Sequence, residues 1–376
     1  MSPSVFQDIE AVDDSSTLQE MEELASSLML NPVFVCVISY TSTCEIPGIT
    51  VAGANPLQLK FTSPADAEFL YYGHCKCIDK IPITPDGKPT PAIITRAALK
   101  LSNIPFFVVE AGTKIKPSIP HISFNIPPGN DIQFGTGLNI SDVKKAFEYG
   151  VILGSQLGRS NSAVIIGESI PGGTTTALGI LTALGINAKN KISSSMPQNP
   201  HDLKNQTVSR GMKNANISFG DLRGEPLKAI SALGDPMVPS VAGMVEGILK
   251  LSSHNTRVML AGGTQMASVL AVLKLIDCPL ERICIGTTAY VAEDKSSNLA
   301  HLVKSISTNV PIYKSNLHLA YSSFPGLRSY ANGYVKEGVG AGGVSIAAML
   351  KSGGHINGEM LLRAVEQEYY TISQIR

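Results

Sequence analysis

The sequence predicts an α/β fold, in which helices cover a parallel, Rossmann-like sheet and the two chain ends form a smaller, mostly helical subdomain. Short apolar runs typical of buried strands occur at residues 32–40, 106–109, 163–166, 257–261 and 282–286. A glycine-containing turn follows most of these runs, and a helical pattern follows the turn. The repeated order of strand, glycine turn and helix is typical of a parallel sheet with covering helices.

The composition also favours a large globular protein. The chain has 376 residues, of which 44% are apolar and only 16% are charged, so it can bury a sizeable core. Lys plus Arg equals Asp plus Glu, at 30 each, and this balance gives no reason to expect a nucleic-acid partner. The polar, acidic N-terminus lacks the features of a signal peptide, and no apolar run is long enough to span a bilayer. We therefore predict a cytoplasmic protein without a membrane partner.

The first third of the chain opens with a helical segment. Residues 1–30 join an acidic leader to apolar residues near helical spacing, and we expect this segment to pack with the C-terminal helices. The strand at 32–40 leads into a loop that contains glycine and proline. Residues 66–72 are predicted to be helical, with Pro64 in the first turn, and residues 93–101 form the next helix.

From residue 141 onward the alternation of strands and helices becomes regular. The preceding residues, 113–139, are rich in Pro and Gly, and a long loop inside a compact domain is often functional. We assign residues 31–350 to one α/β nucleotide-binding domain and residues 351–376 to a C-terminal helix. The further helices are predicted at residues 141–153, 172–184, 225–233, 238–251, 264–275, 340–350 and 358–370.

The six cysteines are scattered through the chain and show no disulfide framework. His74, Cys75 and Cys77 resemble half of a metal site, but no CxxC or HxxxH pair elsewhere supplies the second half. Reduced structural thiols are therefore the favoured interpretation, and we predict no metal.

Four glycine turns carry the main functional signal. They begin at Gly167, Ala261, Gly286 and Lys336. Glycine lets a ligand approach the main chain, and a helix starting after the turn presents a positive dipole end that suits a phosphate. The alternative is that a small residue is needed where the helix packs on its strand. For one run we favour phosphate binding: Gly172, Gly173, Thr174, Thr175 and Thr176. This run is neither a Walker A loop nor a GxGxxG motif, so a mononucleotide is a more natural ligand than ATP or NAD.

Two carboxylates lie in these turns. Glu337 stands among glycines, where low exposure can raise its pKa so that it accepts a proton from a nitrogen base. Its alternative role is that of an acid complementing the dipole of the following helix. Glu168 follows an apolar strand and leads into the phosphate-like turn. It either binds ribose hydroxyls or holds the loop through hydrogen bonds to its amides.

Four of these segments, in one order over about residues 163–350, resemble the nicotinate-nucleotide:dimethylbenzimidazole phosphoribosyltransferases. That family carries Gly-Glu before Gly-x-Thr-Thr, an Asp-Pro-Leu helix before a helix with Ala-Met-Ala-Gly, a strand ending Asp-Gly, and Gly-Glu-Gly-x-Gly-Ala. The matching runs here are Gly167-Glu168 with Gly173-Thr-Thr175, Glu225-Pro-Leu with Val241-Ala-Gly-Met244, Val258-Met-Leu-Ala-Gly-Gly263, and Lys336-Glu337-Gly-Val-Gly-Ala341.

The likeness is greatest to a branch of that superfamily found in archaea and cyanobacteria. The runs Pro91-Ala-Ile-Ile-Thr-Arg and Gly167-Glu-Ser-Ile-Pro-Gly-Gly-Thr are typical of that branch. Three features depart from the main branch: Ser-Ile-Pro-Gly-Gly-Thr replaces Met-x-Ile-Gly-Asn-Thr, Ala261 replaces the Asp of Asp-Gly, and the N-terminal third matches weakly. The acceptor base therefore stays open between dimethylbenzimidazole, another benzimidazole and adenine.

The resemblance implies transfer of phosphoribose from nicotinate mononucleotide to an aromatic nitrogen base in cobamide lower-ligand biosynthesis. It also implies a homodimer. No cofactor is implied, because the leaving pyridinium is already positively charged and its departure needs no metal. Glu337 would be the base catalyst. The other implied substrate-binding residues are Glu168, Gly172, Gly173, Thr174, Thr175, Thr176, Lys204, Gly262, Gly263, Gly338 and Gly340.

Two alternatives come from other functional classes. A non-catalytic mononucleotide sensor of the same fold would keep the turn at residues 174–176 and would need no base. Phosphoribosyltransferases that use pyrophosphate chemistry normally show an acidic pair beside a Thr-rich loop, and the sequence contains no such pair.

Overall fold

A sheet of eight strands forms the centre of the computed structural model, which describes residues 6–13, 17–252 and 255–374. Its spatial order is β1-β8-β7-β6-β5-β2-β3-β4. The outer strand β1 is antiparallel to β8, and every other neighbouring pair is parallel. The predicted parallel α/β sheet is therefore confirmed. The strands are β1 (Ile9–Ala11), β2 (Pro32–Ile38), β3 (Phe106–Glu110), β4 (Ile122–Ser123), β5 (Ala163–Ser169), β6 (Arg257–Ala261), β7 (Ile283–Thr288) and β8 (Ile312–Ser315).

Helices cover both faces of the sheet because successive side chains of a strand point to opposite faces. In β2, Val33, Val35 and Val37 enter one core, and Phe34 and Cys36 enter the other. Helices α4 to α11 lie on the first face, whereas α1 to α3 and α12 to α14 lie on the second. The helices are α1 (Leu18–Leu30), α2 (Leu59–Tyr72), α3 (Ala92–Ser102), α4 (Ile140–Ser160), α5 (Gly173–Ala183), α6 (His201–Asn214), α7 (Pro226–Leu233), α8 (Met237–Leu251), α9 (Gln265–Leu275), α10 (Ala289–Ala292), α11 (Leu299–Ile306), α12 (Pro325–Arg328), α13 (Ala341–Lys351) and α14 (Gly358–Gln374).

The order in which strands are added to the sheet reverses between β2 and β5, which are parallel neighbours. From β2 the chain proceeds outward to β3 and β4, and from β5 it proceeds the other way to β6, β7 and β8. In open α/β sheets, ligands bind beyond the carboxyl ends of the strands at such a switch point. The fold therefore directs attention to the residues that follow β2 and β5.

The two chain ends lie on the same face of the sheet. Helix α1 packs against α13, and α14 packs against α3. Residues 9–11, predicted as part of an acidic leader, instead form β1 at the sheet edge, where only Ile9 is a buried apolar residue. The predicted helix at 66–72 begins earlier, at Leu59, because a 3-10 turn with Asn55 as its cap leads directly into it. None of the described helices combines the length and apolar character that a membrane crossing requires.

Helices α4 and α8 pack unusually closely through glycines. A Cβ on Gly154 of α4 would overlap the Met244 carbonyl oxygen of α8. We expect Gly154→Ala to lower the free energy of unfolding by about 1–3 kcal/mol, the usual cost of overpacking. Urea denaturation tests this, with Gly224→Ala as control, since nothing lies within 4 Å of a Cβ at Gly224. Equal stability of the two variants would contradict the close helix contact.

Candidate functional site

A cleft opens at the carboxyl end of β5, beside the switch point. It holds about 880 Å³ of space not filled by atoms, including open solvent at its mouth. Strand β5 ends at the cleft, the start of α5 forms one wall, and α2 with the segment before α3 forms another. The residues predicted from sequence that line it are Glu168, Gly172, Gly173, Thr174, Gly263, Glu337 and Gly338.

The start of α5 has the geometry expected of an anion-binding turn. Gly172 is the residue before the helix and has φ +80°, a conformation that favours glycine. A Cβ on Gly172 would also come within 3.0 Å of the Cys44 backbone, and one on Gly173 would overlap the Gln265 amide. The two glycines therefore let the chain turn and pack closely against its neighbours, and the helix that follows directs the positive end of its dipole toward the cleft.

Lys204 supports this turn from behind. Its side chain is fully buried, and its Nζ donates to Thr174 Oγ1 at 2.8 Å and to the Ser193 carbonyl at 2.7 Å. Burial and, to a smaller extent, the nearby Lys336 lower its pKa to about 7, although Asp294 opposes them. Lys204 therefore does not line the cleft itself. It contacts a cleft-lining residue, Thr174, through the hydrogen bond to its hydroxyl.

The other two threonines of the turn lie in the core. Thr175 and Thr176 are fully buried and do not line the cleft. The Thr176 hydroxyl donates to the Asp235 carboxylate, which also accepts from the Met237 and Val238 amides at 2.9 and 3.3 Å. Thr176 therefore fastens α5 to the start of α8. The Thr175 hydroxyl has no hydrogen-bond partner among the described residues.

Two lysines line the cleft, Lys88 from the segment before α3 and Lys336, of which Lys336 is the more deeply buried. Its side chain is only 2% exposed, and its Nζ pairs with Asp294 Oδ2 at 2.7 Å and donates to the Met196 carbonyl at 3.0 Å. Burial lowers the pKa of Lys336, and the Asp294 carboxylate opposes that effect. Sequence reasoning treated Lys336 only as the neighbour of Glu337. A basic residue inside a glycine-rich turn was the signal that could have identified it.

The Glu337 carboxylate is held by backbone amides from the end of β7, from its own turn and from the first turn of α13. It accepts from Thr288 N at 2.9 Å, from Gly338 N at 3.1 Å and from Gly342 N at 3.2 Å. Burial raises its pKa to about 7, although these amides oppose the rise. A carboxyl that titrates near neutral pH is suited to proton transfer. The bond from the Gly342 amide also satisfies a donor in the first turn of α13, as the helix-start interpretation of Glu337 requires.

Glu168 lies at the end of β5 and lines the same cleft. It is 3% exposed, and burial, Asp235 and Glu337 together raise its pKa well above the ordinary value. The nearby Gln265 side chain opposes that rise. The Glu168 backbone carbonyl accepts from Val339 N at 2.7 Å, and this bond fixes the Glu337 turn against β5. Glu168 therefore takes up a proton more readily than an exposed glutamate does.

The four predicted glycines outside the α5 turn fall into two groups. Gly263 lies beside Glu337, since a Cβ built on it would be 3.9 Å from the Glu337 Cβ, and Gly338 lies against Pro91. Gly262 and Gly340 are not among the cleft-lining residues. A Cβ on Gly340 would meet Gly167 and Phe34 of the sheet, so this glycine serves the packing of the turn.

Asp66 lines the cleft from α2 and was not predicted as a site residue. Its two carboxylate oxygens accept from Thr90 Oγ1 and from Ser169 Oγ, both at 2.7 Å. Burial raises its pKa to about 7. Thr90 and Ser169 also line the cleft. In the sequence Asp66 stands in an ordinary helical run, and only the fold brings it to the end of β5.

The segment with His74, Cys75 and Cys77 lies apart from the cleft. Cys75 Sγ donates to the Ala65 carbonyl at 3.3 Å, and Cys77 N donates to the Glu68 carboxylate at 2.8 Å. Burial raises the pKa of the Cys77 thiol to about 12. Within the described part of the chain, no group of three His, Cys, Asp or Glu side chains is placed to hold a metal ion.

Solved structures with the same fold include two from Thermus thermophilus. CobT aligns with a TM-score of 0.61 at 14% identity, covering 96% of this chain and 94% of that protein. The nicotinate-nucleotide-dimethylbenzimidazole phosphoribosyltransferase aligns with a TM-score of 0.60 over 96% of each chain, also at 14% identity. At this identity the likeness establishes the fold, and it confirms the fold that the motif resemblance implied.

Sequence relatives define the family. No protein-family model matches the chain. The UPF0284 protein of Methanothermobacter thermautotrophicus is 42% identical over 345 residues, which is 90% of this chain and 93% of that protein. The UPF0284 protein of Archaeoglobus fulgidus is 44% identical over 339 residues, again 90% of this chain and 93% of the relative. With this identity over nearly its whole length, the chain belongs to the UPF0284 protein family.

Proposed function

We propose that the protein transfers phosphoribose from nicotinate mononucleotide to an aromatic nitrogen base, releasing nicotinate and forming an α-ribotide of the kind used as a cobamide lower ligand. The observation that carries the proposal is that Glu337 and the turn Gly172–Thr174 line one cleft. Glu337 has a pKa near neutrality, and the turn precedes a helix with its positive end toward the cleft. A base catalyst and an anion site thus face the same space.

In the proposed reaction the start of α5 and Lys336 bind the 5′-phosphate. Lys336 uses two of its three N–H donors on Asp294 and Met196, and the third has no partner among the described residues. Lys204 orients the Thr174 hydroxyl by donating to it, which leaves the hydroxyl hydrogen available to the phosphate. Glu168, protonated or not, is available to the ribose hydroxyls.

The chemical step is a single displacement at the ribose anomeric carbon. A nitrogen lone pair of the acceptor base forms the new C–N bond from the face opposite to nicotinate. The bond to the pyridinium nitrogen breaks, and its electron pair neutralises that nitrogen. Glu337 accepts the N–H proton that the acceptor base must lose. The departing group needs no acid, since it leaves as a neutral pyridine ring.

A non-catalytic mononucleotide sensor is the second candidate, and one observation favours it. The Glu337 carboxylate accepts from the Thr288, Gly338 and Gly342 amides, the last of them in the first turn of α13, so the carboxylate also has a structural purpose. In a sensor, the turn at residues 172–174 would bind nucleotide and Glu337 would only cap α13. The homodimer implied by the family resemblance and the cytoplasmic location predicted from the sequence remain part of the proposal.

An assay of the purified protein tests the proposal and separates the two candidates. Incubation with nicotinate mononucleotide and a panel of bases (dimethylbenzimidazole, benzimidazole and adenine) is expected to release nicotinate with at least one base. Chromatography and mass spectrometry should then show one ribotide per nicotinate released, and no release without a base. A different result would establish the sensor: nicotinate mononucleotide stabilises the protein on heating, but no base in the panel causes release of nicotinate.

A further inference from the structure

A hairpin at residues 82–90 forms the part of the cleft wall that lies before α3. Its two arms are joined by backbone hydrogen bonds, including one of 2.9 Å from Thr84 N to the Lys88 carbonyl, and Gly87 turns the chain between them with φ +82°. The buried Tyr330 hydroxyl contacts two backbone carbonyls of the returning arm, both at 2.9 Å. The hairpin therefore presents Lys88 at a defined place on the cleft wall.

Lys88 extends from this hairpin without a strong partner. Its side chain is 29% exposed, and its ion pair with Asp86 Oδ2 spans 3.9 Å, which is too long for a hydrogen bond. The other oxygen of Asp86 accepts from the Thr84 hydroxyl, so that carboxylate is already engaged. Lys88 Nζ also lies 5.5 Å from the centroid of the Tyr334 ring. Because the ammonium group has no hydrogen-bond acceptor among the described residues, its donors are available to a ligand.

The two lysines that line the cleft in the described part of the chain lie on different walls. Lys336 donates to the Met196 carbonyl, and Met196 lies three residues beyond Ser193, whose carbonyl binds Lys204 behind the α5 turn. Lys336 therefore belongs to the wall that holds the proposed phosphate site. Lys88 belongs to the wall that α2 and the segment before α3 form. A ligand that spans the cleft thus meets one cation on each wall.

Three carboxyl groups of the described residues also line the cleft, and they restrict where a second anionic group of a ligand can lie. They are Asp66 of α2, Glu168 of β5 and Glu337 of the turn before α13. An ionised carboxyl repels a ligand carboxylate beside it unless a cation lies between them. Nicotinate mononucleotide carries two anionic groups, the 5′-phosphate and the carboxylate on its pyridine ring. With the phosphate at the α5 turn, the ring carboxylate is best placed beside Lys88.

We infer that Lys88 binds the ring carboxylate of nicotinate mononucleotide and selects this nucleotide over nicotinamide mononucleotide, in which a neutral amide replaces the carboxylate. The inference rests on the proposed donor substrate and names the residue that recognises its ring. An ammonium group only donates hydrogen bonds, so it suits both carboxylate oxygens but not the NH₂ group of an amide. A hydrogen bond between two charged groups is also stronger than one to a neutral amide, which gives the selectivity.

Isothermal titration calorimetry of the purified protein with each nucleotide tests the inference without requiring turnover. Wild-type protein is expected to bind nicotinate mononucleotide about tenfold more tightly than nicotinamide mononucleotide, the effect of one hydrogen bond to a charged group. Lys88→Met should weaken binding of nicotinate mononucleotide by about tenfold and leave binding of nicotinamide mononucleotide unchanged. Lys336→Met should instead weaken the binding of both nucleotides, since both carry the 5′-phosphate.

The variants are chosen to keep the fold. Within the hairpin, Lys88 bonds through its backbone, and its N donates to Thr84 Oγ1 at 2.9 Å, so Lys88→Met keeps these bonds. Lys80→Met is the matched control, since Lys80 is an exposed lysine shortly before the hairpin that does not line the cleft, and both affinities should be unchanged. Equal wild-type affinity for the two nucleotides, or an equal loss of both in Lys88→Met, would overturn only the role of Lys88. Absence of binding of either nucleotide would overturn the proposed function and this inference together.

Discussion

Glu337→Gln is expected to lower kcat for nicotinate release by about a hundredfold or more, with little change in KM for nicotinate mononucleotide. General base catalysis contributes about 10² to 10⁴ to a rate, and glutamine cannot accept the proton. The KM should change little because the phosphate contacts at Gly172–Thr174 and Lys336 remain. Steady-state kinetics on both substrates measures the two effects separately.

Interpretation of this variant depends on its folding. The Glu337 oxygens accept from the Thr288, Gly338 and Gly342 amides, so a glutamine NH₂ group must face at least one of these donors. We expect a loss of stability of about 1–3 kcal/mol, which thermal denaturation will reveal. Retained binding of nicotinate mononucleotide would show that the variant is folded. A folded variant with wild-type kcat would remove Glu337 from the mechanism.

Lys336→Met is expected to raise KM for nicotinate mononucleotide by about tenfold to a hundredfold and to change kcat much less. Hydrogen bonds to charged groups contribute about 1.5–3 kcal/mol, and methionine keeps the length of the side chain without the charge. Asp294 would lose its cation but would still accept from Ser296 N at 3.0 Å and from Asn199 Nδ2 at 3.1 Å. The variant should therefore fold.

Lys314→Met is the matched control for this prediction. Lys314 is also mostly buried and pairs with Glu10 at 3.0 Å and with Glu293 at 2.6 Å, but it does not line the cleft. Its loss should leave KM unchanged. An equal rise of KM in both variants, or none in Lys336→Met, would mean that Lys336 does not bind the phosphate.

The sequence predicts the sheet well because its strands are apolar on both faces and its turns are marked by glycine. The helix start at Gly172 and Gly173 follows from the same signals, and Glu337 stands out among glycines. These features are local, with strand, turn and helix lying within about 30 residues, the length of one βαβ unit. Local patterns are what a single sequence reveals most directly.

The parts of the site that depend on distant contacts could not be predicted. Asp66 bonds to Ser169 across 103 positions, and Lys336 bonds to the Met196 carbonyl across 140. Lys204 was expected to reach the substrate, but it lies on α6, a polar helix that packs against α5 and buries the lysine behind Thr174. Whether a side chain faces the cleft or lies behind its wall depends on how the helices pack.

The pH dependence of kcat for nicotinate release tests the central claim, proton transfer to Glu337, most directly. Because burial raises the pKa of Glu337 to about 7 and the base must be deprotonated to act, kcat should rise about tenfold per pH unit below that value and level off above it. The rise should be absent from Glu337→Gln. A wild-type kcat that is constant from about pH 5 to 8, or the same rise in the variant, would contradict the role assigned to Glu337.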